Sequence, residues 1–316
     1  MNIKLILLIN LLILNTSIVF GYGESSSGHP NWQEREAHMI LNSVRIANYF
    51  PFTLPSNVMS NEKYPAVDPV YYDDKMNKLS KLHSDDMAMN GCFQHDSCNG
   101  TGIMQRVFAN LDPKCLRAFA ENIAAGYSSG LDIINYWICE KTLTGKECYP
   151  DGTKDGHRVA LMSSKYNTVG TSRVVNDTSR FKTYWTQDFE LNGCNKVPPS
   201  PIPSGSHTFV NNKLRYLAAW SSTAAPTSVK IHLNQRLLSD EKQYQLSLHL
   251  GSASKGIYMY EPDTYNECQS YFFTFTTADG TTYRYPTSGF LKTVTSATSK
   301  CDAWTSDLSL ILSLSL

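Results

Sequence analysis

The chain has 316 residues, 41% of them hydrophobic, and its 28 Lys and Arg are balanced by 28 Asp and Glu. That length and composition give one large or two ordinary domains with packed cores. Zero net charge and the lack of a charge run exclude an electrostatic fit to nucleic acid or to an anionic membrane surface.

Residues 1–21 have the form of a secretory signal, with Lys4, an apolar run from Leu5 to Leu14 and small Gly21 at the expected cleavage point. Asn10 and Asn15 interrupt the run, which is shorter than the ~20 residues of a spanning helix, so a secreted, extracellular chain without a transmembrane span is expected. Eight cysteines fit an oxidising compartment. Sequence distance and domain membership pair Cys92 with Cys98, Cys139 with Cys148, Cys115 with Cys194 and Cys268 with Cys301, and swapped pairs stay open. Asn99 and Asn176 head glycosylation acceptor sequences, as on a secreted glycoprotein.

After a polar spacer from Tyr22 to Trp32, Ile40, Val44 and Ala47 have the spacing of one helix face, over residues 34–49. Asn42 and Arg45 lie a turn apart on it, either in a polar pocket or on a solvated face. A proline-rich loop follows. Met76, Leu79, Leu82 and Met87 predict a second helix over 74–90, capped by Asp73 or Asp74 and stopped by Gly91. His83 on it reads as a packing or hydrogen-bonding histidine. Residues 92–116 read as loop, and 120–125 as a short buried strand carrying Glu121 inward.

Leu131, Ile134 and Ile138 predict a third helix that places Trp137 and Glu140 on one face. A fourth begins near Asp155, with His157 in its first turn, where free backbone N–H groups disfavour an imidazolium. Residues 168–175 and 181–189 predict an antiparallel hairpin. Helices around a small antiparallel sheet make an α+β domain over 34–194.

Pro198, Pro199, Pro201 and Pro203 predict a stiff extended linker over 195–206. Beyond it, residues 213–220, 229–233, 244–250, 256–260, 270–277 and 281–285 read as strands, with an Asp279-Gly280 hairpin turn. A small all-β sandwich over 207–301 is expected, closed by one disulfide. The tail, 302–316, is read as a frayed end, with a lipid-anchor signal as the alternative.

Ordered motifs now accumulate: Leu41-Asn42-Ser43-Val44-Arg45, His83-Ser84-Asp85-Asp86, Phe93-Gln94-His95, Ala120-Glu121-Asn122-Ile123, Trp137-Ile138-Cys139-Glu140, Gly156-His157-Arg158 and Tyr184-Trp185-Thr186-Gln187-Asp188-Phe189. From about Ile40 to Phe189 the chain resembles the CAP superfamily, or SCP domain, of cysteine-rich secretory proteins, insect venom antigen 5 and plant pathogenesis-related 1 proteins. The resemblance implies an α-β-α sandwich with a cleft holding two His and two Glu, here His95, Glu121, Glu140 and His157. Ala120 stands where the family pattern has Gly, and Ala160 where it has Asn.

Two neutral imidazoles and a carboxylate suit zinc or another divalent cation, with His95 and His157 as its ligands. No His-Glu-x-x-His helix, Gly-x-Ser-x-Gly elbow or unpaired cysteine pattern is present. The preferred reading is an extracellular binding module that takes a metal, lipid, sterol, glycan or protein in the cleft, with no catalytic residue assigned. The alternative is a metal-dependent hydrolase using zinc-bound water there. The oligomeric state is left open.

Overall fold

The computed structural model describes residues 30–48, 62–140, 148–149, 152, 154–194, 200–234, 241–295 and 301. The expected signal segment 1–21, the first half of the proline linker and the tail 302–316 lie outside the described residues.

Helix α1 (Trp32–Ala47) starts where Asn31 closes a capping box with Glu34: Glu34 N–H donates to Asn31 Oδ1 (3.0 Å) and Asn31 N–H to Glu34 Oε2 (2.7 Å). Helix α2 (Asp74–Asn90) follows the short strand β1 (Tyr71–Tyr72). Asp73 caps it by accepting from Lys75 and Met76 N–H, and left-handed Gly91 ends it, as expected. The loop expected over 92–116 is corrected: helix α3 (Ile103–Asn110) forms there, with Ile103 and Val107 one turn apart on its packed side.

Strand β2 (Leu116–Ala125) extends the strand expected over 120–125 and lies at the edge of its sheet, and helices α4 (Gly130–Cys139) and α5 (Gly156–Met162) come next. Strands β3 (Thr168–Val175) and β4 (Thr183–Asn192) pair antiparallel. The first sheet has the order β1-β3-β4-β2, with only β1 and β3 parallel. Its pleat sorts the side chains. Tyr184, Thr186 and Asp188 face α2, where Ser84 donates to Thr186 Oγ1 (2.9 Å) and Ser80 to Asp188 Oδ2 (2.8 Å). Trp185 and Phe189 face the core shared with α1, α4 and α5. The result is the expected α-β-α sandwich.

The second unit is a β-sandwich. One sheet runs β5-β6-β10-β9, from β5 (Gly205–Val210), β6 (Lys213–Ser221), β9 (Ser247–Gly251) and β10 (Lys255–Tyr260). The other runs β12-β11-β7-β8, from β7 (Ser228–Asn234), β8 (Lys242–Gln245), β11 (Ser270–Thr276) and β12 (Thr282–Tyr285), with β13 (Leu291–Lys292) also on β11. The single strand expected over 244–250 is two, broken at buried Leu246. Between the sheets pack Tyr216, Trp220, Tyr271, Phe273 and Phe275.

The two units share a core. Leu217, Ala219, Leu250 and Ile257 of the first sandwich sheet pack in one cluster with Ile40, Leu41 and Val44 of α1. That sheet is therefore covered on both faces, and β6 is buried almost continuously. The described part of the proline stretch is correspondingly not a solvated spacer. Pro201, Ile202, Pro203 and Ser204 are partly or fully buried, and β5 begins at Gly205. All four expected disulfides form.

Helix α1 carries polar side chains into this shared core, and directional hydrogen bonds answer most of them. Asn42 accepts from Val70 N–H (2.9 Å) and donates to Ser204 Oγ (3.0 Å), while Arg45 donates to the carbonyls of Asp68 (2.8 Å) and Leu161 (2.6 Å). Glu36 accepts from Thr208 Oγ1 (2.6 Å) on β5 and from Gly130 N–H (2.7 Å) on α4. A Cβ at Gly130 would lie 2.3 Å from Ala37 N and 2.4 Å from Gln33 O, so α1 and α4 touch backbone to backbone.

Two outcomes follow from this crossing. Gly130→Ala must push the helices apart and should lower stability by about 2 kcal/mol, read as a shifted denaturation midpoint. Burial pushes the Glu36 carboxyl up to about 7, with the Thr208 and Gly130 hydrogen bonds opposing it. A raised folded pKa means the native state binds the extra proton, so this contribution falls as pH rises from the unfolded carboxylate value to about 7. Glu36→Gln should thus match the native chain near pH 4 and exceed its stability by about 3 kcal/mol above pH 7, read by denaturant titration across pH.

Candidate functional site

The four expected residues border one cleft of about 490 Å³, lined also by Ala120, Asn122, Lys154, Val159, Ala160 and Tyr166. The structure groups them as two pairs on opposite faces of the sheet. Glu121 is opposite Asp188 in the β2–β4 register, so its side chain lies on the α2–α3 face, whereas Ala120 and Ala124 pack toward α1, α4 and α5. Edge strand β2 runs between the pairs.

On the first side, His95 Nδ1 is 2.9 Å from Glu121 Oε1, with the imidazole half exposed and the carboxylate side chain 1% exposed. Arg106 Nη2 donates to Glu121 Oε2 (2.6 Å) and both its terminal nitrogens donate to His95 O (3.1 Å), so one guanidinium holds both members. Arg106 sits on α3, and the loop expectation hid it. The apolar spacing of Ile103, Val107 and Leu111 in the sequence was the available signal.

Beneath this pair, His83 is fully buried and its Nε2 lies 2.9 Å from Gln94 O and 3.8 Å from Glu121 Oε1. Burial lowers its pKa. The hydrogen-bonding role expected for His83 is the one it has. Asp188 is also fully buried, and burial, followed by the charge of Glu121, raises its pKa well above the carboxylate range. Two carboxyls here resist carrying two charges, and Arg106 and His95 both hold Glu121.

On the second side, Glu140 ends α4 in a left-handed conformation (φ 44°), so it does not share a helix face with Trp137 as expected. Trp137 instead points into the core and donates from Nε1 to Ile123 O (3.3 Å). The turn at Glu140 is held by Arg158, which donates to the carbonyls of Ile138 (2.6 Å), Cys139 (3.2 Å) and Tyr149 (2.9 Å) across the Cys139–Cys148 disulfide. Glu140 Oε1 then accepts from Arg158 N–H (3.1 Å) and lies 3.5 Å from His157 Nδ1. That His157 nitrogen is buried and has no hydrogen-bond partner among the described residues.

Donor chemistry and spacing can be tested separately against a cation. The chemistry fits at His95, whose Nδ1 meets Glu121 Oε1 and leaves Nε2 for a ligand, while His157 Nδ1 faces Glu140 at 3.5 Å without a hydrogen bond. The spacing sets a limit. Among the described residues, the only three such donors within 4.8 Å of one another are Asp86, Cys92 and Cys98, and that group is closed by a disulfide. The cleft thus offers two histidines, one per side, with Glu121 and Glu140 behind them.

None of the curated proteins compared with the chain matches it. A solved structure to which it is similar is the 1.5 Å crystal structure of an extracellular protein containing a SCP domain from Bacillus anthracis str. Ames. The two are 24% identical with a TM-score of 0.30, and the match covers 39% of this chain and 34% of that one. The family described as CAP, the cysteine-rich secretory protein family, matches residues 40–189, the span that holds both pairs and the sheet between them. Residues 40–189 are therefore a CAP domain of the cysteine-rich secretory protein family.

Proposed function

We propose that this chain is an exported CAP-domain binding module whose cleft takes a divalent cation such as zinc on His95 and His157. The observation that carries the reading is the pairing of each histidine with its own carboxylate, at 2.9 Å for His95 and Glu121 and 3.5 Å for His157 and Glu140. Such pairing orients an imidazole and raises its basicity as a ligand. A bound cation would draw the unpartnered His157 nitrogen into a fixed tautomer and supply a local positive charge to an incoming ligand. Export is supported by the signal-like start and by four disulfides, which suit an oxidising compartment.

The cleft wall of Ala120, Val159, Ala160 and Tyr166 offers apolar contact for a lipid, sterol, glycan or protein group beside the histidines. Of the two glycosylation acceptors, Asn99 is exposed, whereas Asn176 donates from Nδ2 to Ala88 O (2.8 Å). We assign the glycan to Asn99.

Calorimetric titration of zinc into the full chain near neutral pH should give saturable one-to-one binding, and His95→Ala with His157→Ala should weaken it by at least about 100-fold. Unchanged affinity in that double variant, with its fold retained by circular dichroism, would overturn the assignment.

A further inference from the structure

Strand β2 is an outer strand of the first sheet and has β4 on one side only. Which of its backbone groups face outward follows from the alternation of an antiparallel ladder. Gly126 N–H donates to Thr183 O (2.9 Å), and the register continues through Ala124 and Trp185, Asn122 and Gln187, Ala120 and Phe189. Even-numbered residues therefore bond to β4, and odd-numbered ones turn N–H and C=O outward. Two side chains agree with that parity: Trp137 Nε1 donates to Ile123 O (3.3 Å) and Tyr166 OH to Phe119 O (3.5 Å).

Between these closed positions lies Glu121. Its main-chain N–H and C=O meet no partner among the described residues. The residue as a whole is partly exposed while its side chain is 1% exposed, so its accessible surface lies on the backbone. That backbone lines the cleft, between the His95 side and the His157 side.

We propose that the Glu121 backbone docks the main chain of an extended peptide, which adds to β2 as a further strand along the cleft floor. Strand addition at an exposed edge takes its affinity from main-chain hydrogen bonds and its selectivity from alternate side chains. The N–H and C=O of one extended residue point the same way and answer both Glu121 groups. The N–H and C=O of a trans acetamido group point opposite ways and answer one, which favours a peptide over an N-acetylated sugar. The added residue opposite Glu121 directs its side chain toward His95. Its neighbours direct theirs toward half-exposed Val159 and exposed Lys154, a wall suited to apolar and acidic side chains. The inference rests on reading the cleft as a binding site but needs no cation in it.

Amide hydrogen exchange of the full chain in EDTA tests the free edge. The Glu121 amide should exchange at least about tenfold faster than those of Ala120 and Asn122, which bond to β4. A slow Glu121 amide would mean that the edge is already covered and would overturn the proposal. A random short-peptide phage library panned on the same chain should then yield a peptide that protects the Glu121 amide. N-methylation of that peptide at the docking amide should cost about tenfold in affinity, and at the adjacent amides much less.

No enriched peptide, equal tolerance of N-methyl groups at every position, or occupation of the cleft by an N-acetylated oligosaccharide instead would each sink it. Adding zinc to the native chain separates the two readings. Peptide affinity in zinc should stay within about threefold of that in EDTA. A native chain that binds zinc but no peptide defeats only the peptide, and one that binds peptide but no zinc defeats only the cation.

Discussion

Burying helix α1 on all sides is the constraint from which the rest of the structure follows. Every residue from Gln33 to Ala47 is buried, including Glu34, Glu36, His38, Asn42 and Arg45. A buried polar group left without a partner costs about 1–3 kcal/mol, and more if charged. The partners come from three directions: Arg173 N–H of β3 for Glu34, the Val70 backbone for His38 and Asn42, and Ser204 and Thr208 at the start of the sandwich for Asn42 and Glu36. Because these bonds are directional, they fix where the sandwich sits as well as that it is attached. An apolar helix of the same shape would hold the two units together with less control over their orientation.

That placement leaves the cleft on the side of the CAP domain away from the sandwich contact. The sandwich covers α1 through β5, β6, β9 and β10, whereas the cleft is built from β2, α4, α5 and the stretch before α3. The sandwich thus stabilises the frame on which the site stands without lending it a side chain. Its own outward sheet is occupied internally: Phe272 stacks on His232 at 4.1 Å, and Arg284 covers the ring at 4.1 Å.

Much of this was legible in the sequence, and what was not has physical reasons. Helix α2 was readable because its period, Asp73 cap and Gly91 stop all agreed. The disulfides were readable because short loops and domain membership left few sensible pairs. Helix α3 was hidden by the cysteines, glycines and proline that surround its eight residues. The proline stretch misled because its residues have the character of a spacer in isolation, while their burial depends on a helix more than 150 positions earlier, through the Asn42 to Ser204 bond. Glu140 was identified as a site residue but not as a left-handed cap, since the force that turns it comes from Arg158 and the Cys139–Cys148 bridge. Asp188 was quoted only as part of a motif, and nothing local marks it as a buried neighbour of Glu121.

Those two acidic residues explain why the cleft keeps its form. Glu121 and Asp188 face each other across β2 and β4, where two charges would repel strongly in a medium of low dielectric. Arg106, at 2.6 Å from Glu121, makes the pair unequal, and burial raises the pKa of Asp188. Glu121 is thereby held by Arg106, and His95 is oriented by it. With its side chain so held, Glu121 has little freedom to rotate, and its backbone is presented to the cleft at a fixed position. The same residue anchors the histidine through its side chain and forms the open edge through its main chain, so cation and strand partner would meet at one rigid point of the sheet.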